Sequence, residues 1–155
     1  MALSGNSQEA EKAITELSND KPEGTAVRFI WGPQIRAAIA LQKNNPAEAI
    51  EVLRAASPYE MADLTIVYLR GQAYVAAHQS PEAVAEFQKI VNNKGTVGVD
   101  VIGALALLGL GRAHEMAWEK DKAKTSYQDF LAVWKDADPD VPILKQAKAE
   151  YAKLN

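Results

Sequence analysis

Leu-Thr-Ile-Val-Tyr-Leu-Arg-Gly-Gln-Ala-Tyr-Val-Ala-Ala-His-Gln-Ser-Pro-Glu-Ala-Val-Ala-Glu-Phe-Gln-Lys-Ile-Val, residues 64–91, decides the fold. Apolar positions recur at helical spacing on both sides of His78-Gln79-Ser80-Pro81, so the stretch reads as two amphipathic helices joined by a tight turn. Gly71 and Ala83 are small enough to let the two backbones approach, while Tyr74, Phe87 and Ile90 supply the bulk around that contact. One helical hairpin of an array is expected here. Such a pattern says much about architecture and does not name a ligand.

The pattern recurs on both sides. Ala49 sits in Pro-Ala-Glu-Ala-Ile-Glu-Val-Leu (46–53), and Ala83 follows it by 34 residues. Ala123, in Asp-Lys-Ala-Lys-Thr-Ser-Tyr-Gln-Asp-Phe-Leu (121–131), follows Ala83 by 40. The longer interval contains the Asn92-Asn93-Lys94-Gly95 turn and a Gly- and Val-rich segment up to Val101, and loops absorb such insertions at small cost.

A spacing of 34 is the tetratricopeptide period. Gly71, Tyr74, Ala83, Phe87 and Ile90 match, in order and spacing, the small, aromatic, small, large and apolar positions of that repeat. Gly111, His114, Ala123, Tyr127 and Phe130 make a partial third copy, and Ala37, Ala40, Ala49, Leu53 and Ala56 a partial first one. His114 and Ala40 stand where the family prefers Tyr, so those hairpins should pack differently. Over nearly its whole length the chain resembles the tetratricopeptide family. The resemblance implies an all-α fold: an α-solenoid of antiparallel helical hairpins in a right-handed superhelix, closed by a C-terminal capping helix. It implies one domain over 1–155, with a partial repeat at 5–22, hairpins at 25–56, 63–93 and 101–135, and the cap at 141–154.

The punctuation of the chain supplies the element boundaries. Residues 8–17 form a helix with Ala10, Ala13, Ile14 and Leu17 on one stripe, capped by Asn6 or Ser7. Ala10, Ile14, Leu17 and Pro22 resemble the second helix of a repeat whose first helix is missing, so the chain is expected to be a piece of a longer protein. A helix over 25–43 carries Pro33 in its middle, and a kink or break near Gly32-Pro33 is expected. Asn44-Asn45-Pro46 turns the chain into a return helix over 46–56, and Ser57-Pro58-Tyr59-Glu60 turns it again, with Tyr59 tucked between hairpins. Asp63 should cap a helix over 64–78 and Ser80 one over 81–93, with a loop at 95–100. The third hairpin should comprise helices at 101–117 and 120–135, ended by Asp136-Ala137-Asp138-Pro139-Asp140. The last helix, 141–154, sets Ile143, Leu144, Ala147, Tyr151 and Leu154 against Lys145, Lys148, Glu150 and Lys153, the pattern of a helix that shields the end of an array from water.

Composition removes several classes of function. At 155 residues and 48% apolar content the chain can bury a core. A net charge of −3 with no concentrated basic face disfavours nucleic acid as a partner. The absence of cysteine excludes disulfides, thiolate metal sites and thiol catalysis, and suits a reducing compartment. Met1-Ala2-Leu3-Ser4-Gly5 has neither the basic flank nor the apolar run of a secretory signal. The most apolar stretch, 99–110, is interrupted by Asp100, Gly103 and Gly109 and falls short of the roughly 20 residues a membrane span requires, so a buried helix and no membrane insertion are expected.

Catalytic motifs are absent: there is no phosphate-binding Gly-x-x-x-x-Gly-Lys loop, no Gly-x-Ser-x-Gly elbow, no kinase catalytic loop and no Asp-Phe-Gly. Gly109-Leu110-Gly111-Arg112-Ala113-His114 opens like a dinucleotide fingerprint, yet His114 replaces the third glycine and no strand precedes it, so helix packing accounts for it. His78 and His114 lack a second ligand at helical spacing; a helix end suits the first and a core position the second. The carboxylate pairs Glu9/Glu11, Asp138/Asp140 and Glu115/Glu119 read as solvated faces and helix starts. No enzyme activity, cofactor or metal is expected.

What remains is binding. In the tetratricopeptide family the first helix of each hairpin lines the concave side, and the resemblance carries that register to Trp31, Gln34, Ala38 and Leu41, to Thr65, Tyr68, Gln72 and Val75, and to Leu105, Leu108, Arg112 and Glu115. Such a groove takes a protein or peptide. Members that grip acidic chaperone tails use Lys, Arg and Asn at set groove positions; Gln34, Ala38 and Leu69 stand there instead, leaving Arg112 as the one group suited to an acidic partner. Gly71, Tyr74, Ala83, Phe87, Gly111, Ala123, Tyr127 and Phe130 are expected to pack the repeats. Residues 85–90, 103–106 and 126–154 resemble the C-terminal tetratricopeptide region of bacterial serine/threonine kinases of the eukaryotic type. That resemblance implies a docking or sensor end, on either side of a membrane, with any kinase activity upstream. Self-association into a homodimer that brings upstream domains together is the alternative.

Overall fold

The computed structural model describes residues 7–20, 24–93 and 101–154, and all of their regular structure is helical. The chain divides into two compact units, Met1–Ala77 and His78–Asn155. The boundary falls inside the expected second hairpin. The 95–100 loop, Asn6 and Pro22 lie outside the described residues.

The first unit contains α1 (Ser7–Asp20), a π-helical turn (Val27–Trp31), α2 (Gly32–Gln42), α3 (Pro46–Ala55), a 3-10 turn (Ser57–Tyr59) and α4 (Thr65–Ala76). Its core joins Ala37 and Ala40 of α2, Ala49, Ile50 and Leu53 of α3, and Ile66, Leu69 and Ala73 of α4. Alanines on the facing stripes let the helices approach, and each buried Leu or Ile contributes about 1.5–3 kcal/mol by leaving water. Arg70, 4% exposed, reaches from α4 to the α3–α4 connection, where it donates to Ser57 Oγ at 2.7 Å and pairs with Glu60. A buried guanidinium needs that partner, because an uncompensated charge there costs about 3–5 kcal/mol.

The expected break at Pro33 takes another form. Pro33 has no N–H to give the preceding turn, and its ring crowds the carbonyl behind it. Widening the turn by one residue relieves both: the Gly32 N–H bonds to Val27 O, five residues back, and Trp31 and Gly32 keep right-handed helical angles. Helical winding therefore continues through a π-turn, a feature often found at functional sites.

The second unit contains α5 (Ser80–Asn92), α6 (Val101–Met116), α7 (Lys120–Val133) and α8 (Pro142–Ala152). α6 packs against both α5 and α7, and α8 against α7. A Cβ on Gly109 would stand 2.6 Å from the Phe87 ring of α5, and one on Gly111 would stand 3.0 Å from the Tyr127 ring of α7. Two residues along a helix turn through about 200°, so the two glycines serve opposite neighbours. Ser80 does not cap α5: it is the first helical residue, and no side-chain cap bond forms at that end. Asn45 does cap α3, its side chain accepting from the Glu48 N–H at 3.3 Å and donating to Glu48 Oε2 at 2.8 Å.

One backbone unit recurs three times. Asn44, His78 and Trp118 have φ of 54°, 57° and 62°, the three left-handed residues outside glycine among those described, and they are spaced by the same 34 and 40 residues as the alanines. Before them, Lys43, Ala77 and Ala117 donate to Ile39, Ala73 and Ala113 at 3.0, 2.9 and 3.1 Å. After them, Ala49, Ala83 and Ala123 donate to Asn45, Gln79 and Glu119 at 3.3, 3.0 and 3.0 Å. Asn45 to Ala40 and Glu119 to His114 add the longer bond of a Schellman closure, at 2.8 and 2.9 Å.

Candidate functional site

In the first unit the expected ligand positions lie on the π-turn, α2 and α4, and α2 packs against both of the others. Trp31 ends the π-turn and is 51% exposed, one of two exposed large apolar residues described in this unit, with Met61. Next to it in sequence, Phe29 stacks on Tyr59 with centroids 5.3 Å apart, and the Arg28 guanidinium lies 5.1 Å from the Phe29 ring. Tyr59 is thus held within the first unit by an aromatic pair. One helical turn beyond Trp31, Gln34 donates to Asp63 Oδ2 at 2.7 Å, while Asp63 Oδ1 accepts the Thr65 N–H at 2.9 Å. Asp63 therefore starts α4 and ties it to α2 with the same carboxylate. Gln72 donates to the Tyr68 hydroxyl at 3.1 Å. Gln34, Thr65, Tyr68, Gln72 and Val75 are all half-buried, and none of them carries a formal charge.

Two expected groove residues in this unit belong to packing. Ala38 is buried with Ala10 and Ile39, because α1 covers that part of α2. Leu41 is half-buried against the core of α2, α3 and α4.

The four ligand positions of the second unit are arranged differently. Leu108 is 1% exposed and packs with Ala104, Tyr127 and Leu144, so it is core and cannot meet a ligand. Leu105 is half-buried. Arg112 is already engaged: its Nε and Nη2 donate to Glu150 Oε2 and Oε1 at 2.9 and 3.1 Å, a two-pronged pair with α8. The Tyr127 hydroxyl stands 3.0 Å from Glu115 Oε2 and 3.2 Å from Glu150 Oε2, placing its one proton between two carboxylates. Burial first, and the two carboxylates second, push this phenol well above its ordinary pKa. Arg112 and Glu115 are thus used by the chain itself and are not open to an acidic guest.

Of the packing residues, Gly71 and Gly111 are buried, Ala83, Phe87, Ala123, Tyr127 and Phe130 have no exposure, and Tyr74 borders the first unit's core. His78 is exposed at its left-handed turn. His114 is buried, and its Nδ1 lies 2.6 Å from Glu119 Oε2. Lys122 donates to the other oxygen at 2.7 Å, and that bond, followed by the one to His114, holds the Glu119 carboxyl below its ordinary value. Trp118, between these residues, is 93% exposed. Among the described residues no three His, Asp or Glu side chains are grouped to hold a metal, and no helix is long and apolar enough to cross a membrane.

Comparison with protein-family models, with curated proteins and with solved structures finds no match to this chain.

Proposed function

We propose that the chain is a non-catalytic interaction module of tetratricopeptide type, an α-solenoid of helical hairpins in a right-handed superhelix, which binds an extended peptide or protein segment on the α2–α4 face. The threefold recurrence of the same turn, at Asn44, His78 and Trp118, carries the repeat assignment. The binding assignment draws on the exposed Trp31, one helical turn before the half-buried Gln34, and on the half-buried, uncharged Tyr68–Gln72 pair of α4. Aromatic rings supply large contact area at small entropic cost and dominate interface energetics, and neutral amides and hydroxyls register a peptide backbone without selecting for charge. With Arg112 paired to Glu150, an acidic tail is not the favoured guest.

The segments at 85–90, 103–106 and 126–154 support a narrower role as the docking end of a bacterial serine/threonine kinase, by resemblance alone. A screen of immobilised peptides against the full chain tests the binding face. Replacing Trp31 and Tyr68 together with Ala should abolish capture while the helical circular dichroism is unchanged; undiminished capture by a folded double variant would overturn the assignment.

A further inference from the structure

We propose that the guest of the α2–α4 face is a basic segment, selected by Asp63, which pairs with an arginine or lysine laid against Trp31. The inference rests on the peptide-binding reading above and names the chemistry of its guest.

Asp63 is half-buried at the start of α4, and each of its carboxylate oxygens accepts one hydrogen bond. Oδ2 accepts from Gln34 Nε2 at 2.7 Å and Oδ1 from the Thr65 N–H at 2.9 Å. Both donors are neutral, so they orient the carboxylate without cancelling its charge. The positive end of α4 offsets roughly half a charge and leaves the remainder. Among the described residues no Lys, Arg or His pairs with Asp63. The arginines of α2, α4 and the π-turn are placed elsewhere: Arg70 pairs with Glu60, and Arg28 lies over the Phe29 ring. Arg36 is exposed two residues past Gln34, about 200° around α2. A carboxylate withdrawn from water without a counter-charge is costly, and a cation from outside the chain removes that cost.

The carboxylate can take such a cation. It offers about four lone-pair sites, of which the chain fills one on each oxygen. One remaining site on each oxygen is the pattern that receives both prongs of a guanidinium. Trp31 stands one helical turn before Gln34, so a single side chain joins the exposed aromatic residue to the carboxylate. The two attract the same kind of group: a cation stacks on an aromatic face and pairs with a carboxylate, and arginine does both best. An acidic guest is repelled at the same point, and the net charge of −3 acts in the same direction. Gln34, Tyr68 and Gln72 register a guest whatever its charge; Asp63 adds the selection.

Immobilised random peptides with one position fixed as Arg, Gln or Glu test this against the full chain. Capture should fall in the order Arg, Gln, Glu, by about tenfold per step, the worth of one charge-assisted hydrogen bond, and the preference should weaken as salt rises. Asp63→Asn keeps an acceptor for the Thr65 N–H, and a turned Gln34 amide can accept from the new amide group, so the local fold is preserved. The variant should lose the preference for Arg over Gln while still capturing the Gln peptides. A preference that survives in folded Asp63→Asn would overturn the proposal.

Should that variant fail to fold, the wild-type order of capture decides. Capture that depends on Trp31 but ignores charge, or favours Glu, would overturn the inference and leave the peptide-binding reading standing. Capture of no peptide at all would overturn both.

Discussion

Gly109 lies directly beneath the ring of Phe87, so close that a Cβ at that position would stand 2.6–2.7 Å from three ring atoms. Phe87 has no exposure and so no free direction in which to move. Alanine at 109 would gain about 1 kcal/mol of helix propensity, but overpacking a fixed core costs typically 1–3 kcal/mol. Gly109→Ala is therefore expected to lower the denaturant midpoint. Gly111→Ala, whose Cβ would meet the Tyr127 ring at 3.0 Å, should cost less. Urea titration of both variants checks the order, and equal or reversed midpoints would contradict it.

Trp118 offers the opposite case. Its φ of 62° costs an L-residue about 1–2 kcal/mol, and at 93% exposure its ring recovers almost nothing by burial. Trp118→Gly should raise stability by about 1 kcal/mol, less the extra freedom glycine gives the unfolded chain. Asn44→Gly should gain less, since asparagine tolerates this conformation. Thermal unfolding of the two variants separates them.

The hairpin register could be read from the sequence because it rests on local spacing: a small residue every 34 or 40 positions identifies Ala49, Ala83 and Ala123, all of which have no exposure. Contacts that span many residues leave no such trace. Nothing near Arg112 points to Glu150, 38 positions away, so Arg112 looked available to a ligand. Leu108 shares the register of Arg112, but α8 closes over the α6–α7 core in which it sits, and α1 likewise hides Ala38. The spacing of Gly109 to Gly111 suggests a single helix-packing motif, whereas the two glycines face different helices. At Pro33 the lost donor could be read locally; the π-turn that compensates for it depends on Gly32 and could not.

Two groups make stability depend on pH, in opposite directions. The Glu119 carboxyl is held below its ordinary value by Lys122 and then His114, so its contribution is present above its unfolded pKa of about 4.5 and is lost as pH falls through the lower folded value. Tyr127 is raised, so its neutral form stabilises the fold below the unfolded pKa of about 10, and stability declines as pH climbs from there towards the folded value. Glu119→Gln should flatten the acid limb of a stability–pH profile and leave the alkaline limb in place. Tyr127→Phe should do the reverse, at the expense of leaving Glu115 and Glu150 without their shared donor. Chemical denaturation across the pH range reads both limbs, and an acid limb unchanged in Glu119→Gln would remove that carboxylate from the account.

Gly32 links the π-turn to the proposed ligand face. A Cβ at this position would stand 2.6 Å from Val27 O, the same carbonyl that accepts the Gly32 N–H. Unlike a flexible side chain, that carbonyl cannot retreat without breaking the turn. Gly32→Ala must therefore either unwind residues 27–31 or expel Pro33 from the helix, and both outcomes displace Trp31, the last residue of the turn. The variant should lose peptide capture although residue 32 itself is buried. It should also lower the unfolding midpoint, because Val27 is buried in the same turn. Trp31→Ala provides the comparison: Trp31 is 51% exposed, so its loss should abolish capture with little change in stability. If Gly32→Ala captured peptide as well as the wild type, the π-turn would have no part in positioning Trp31.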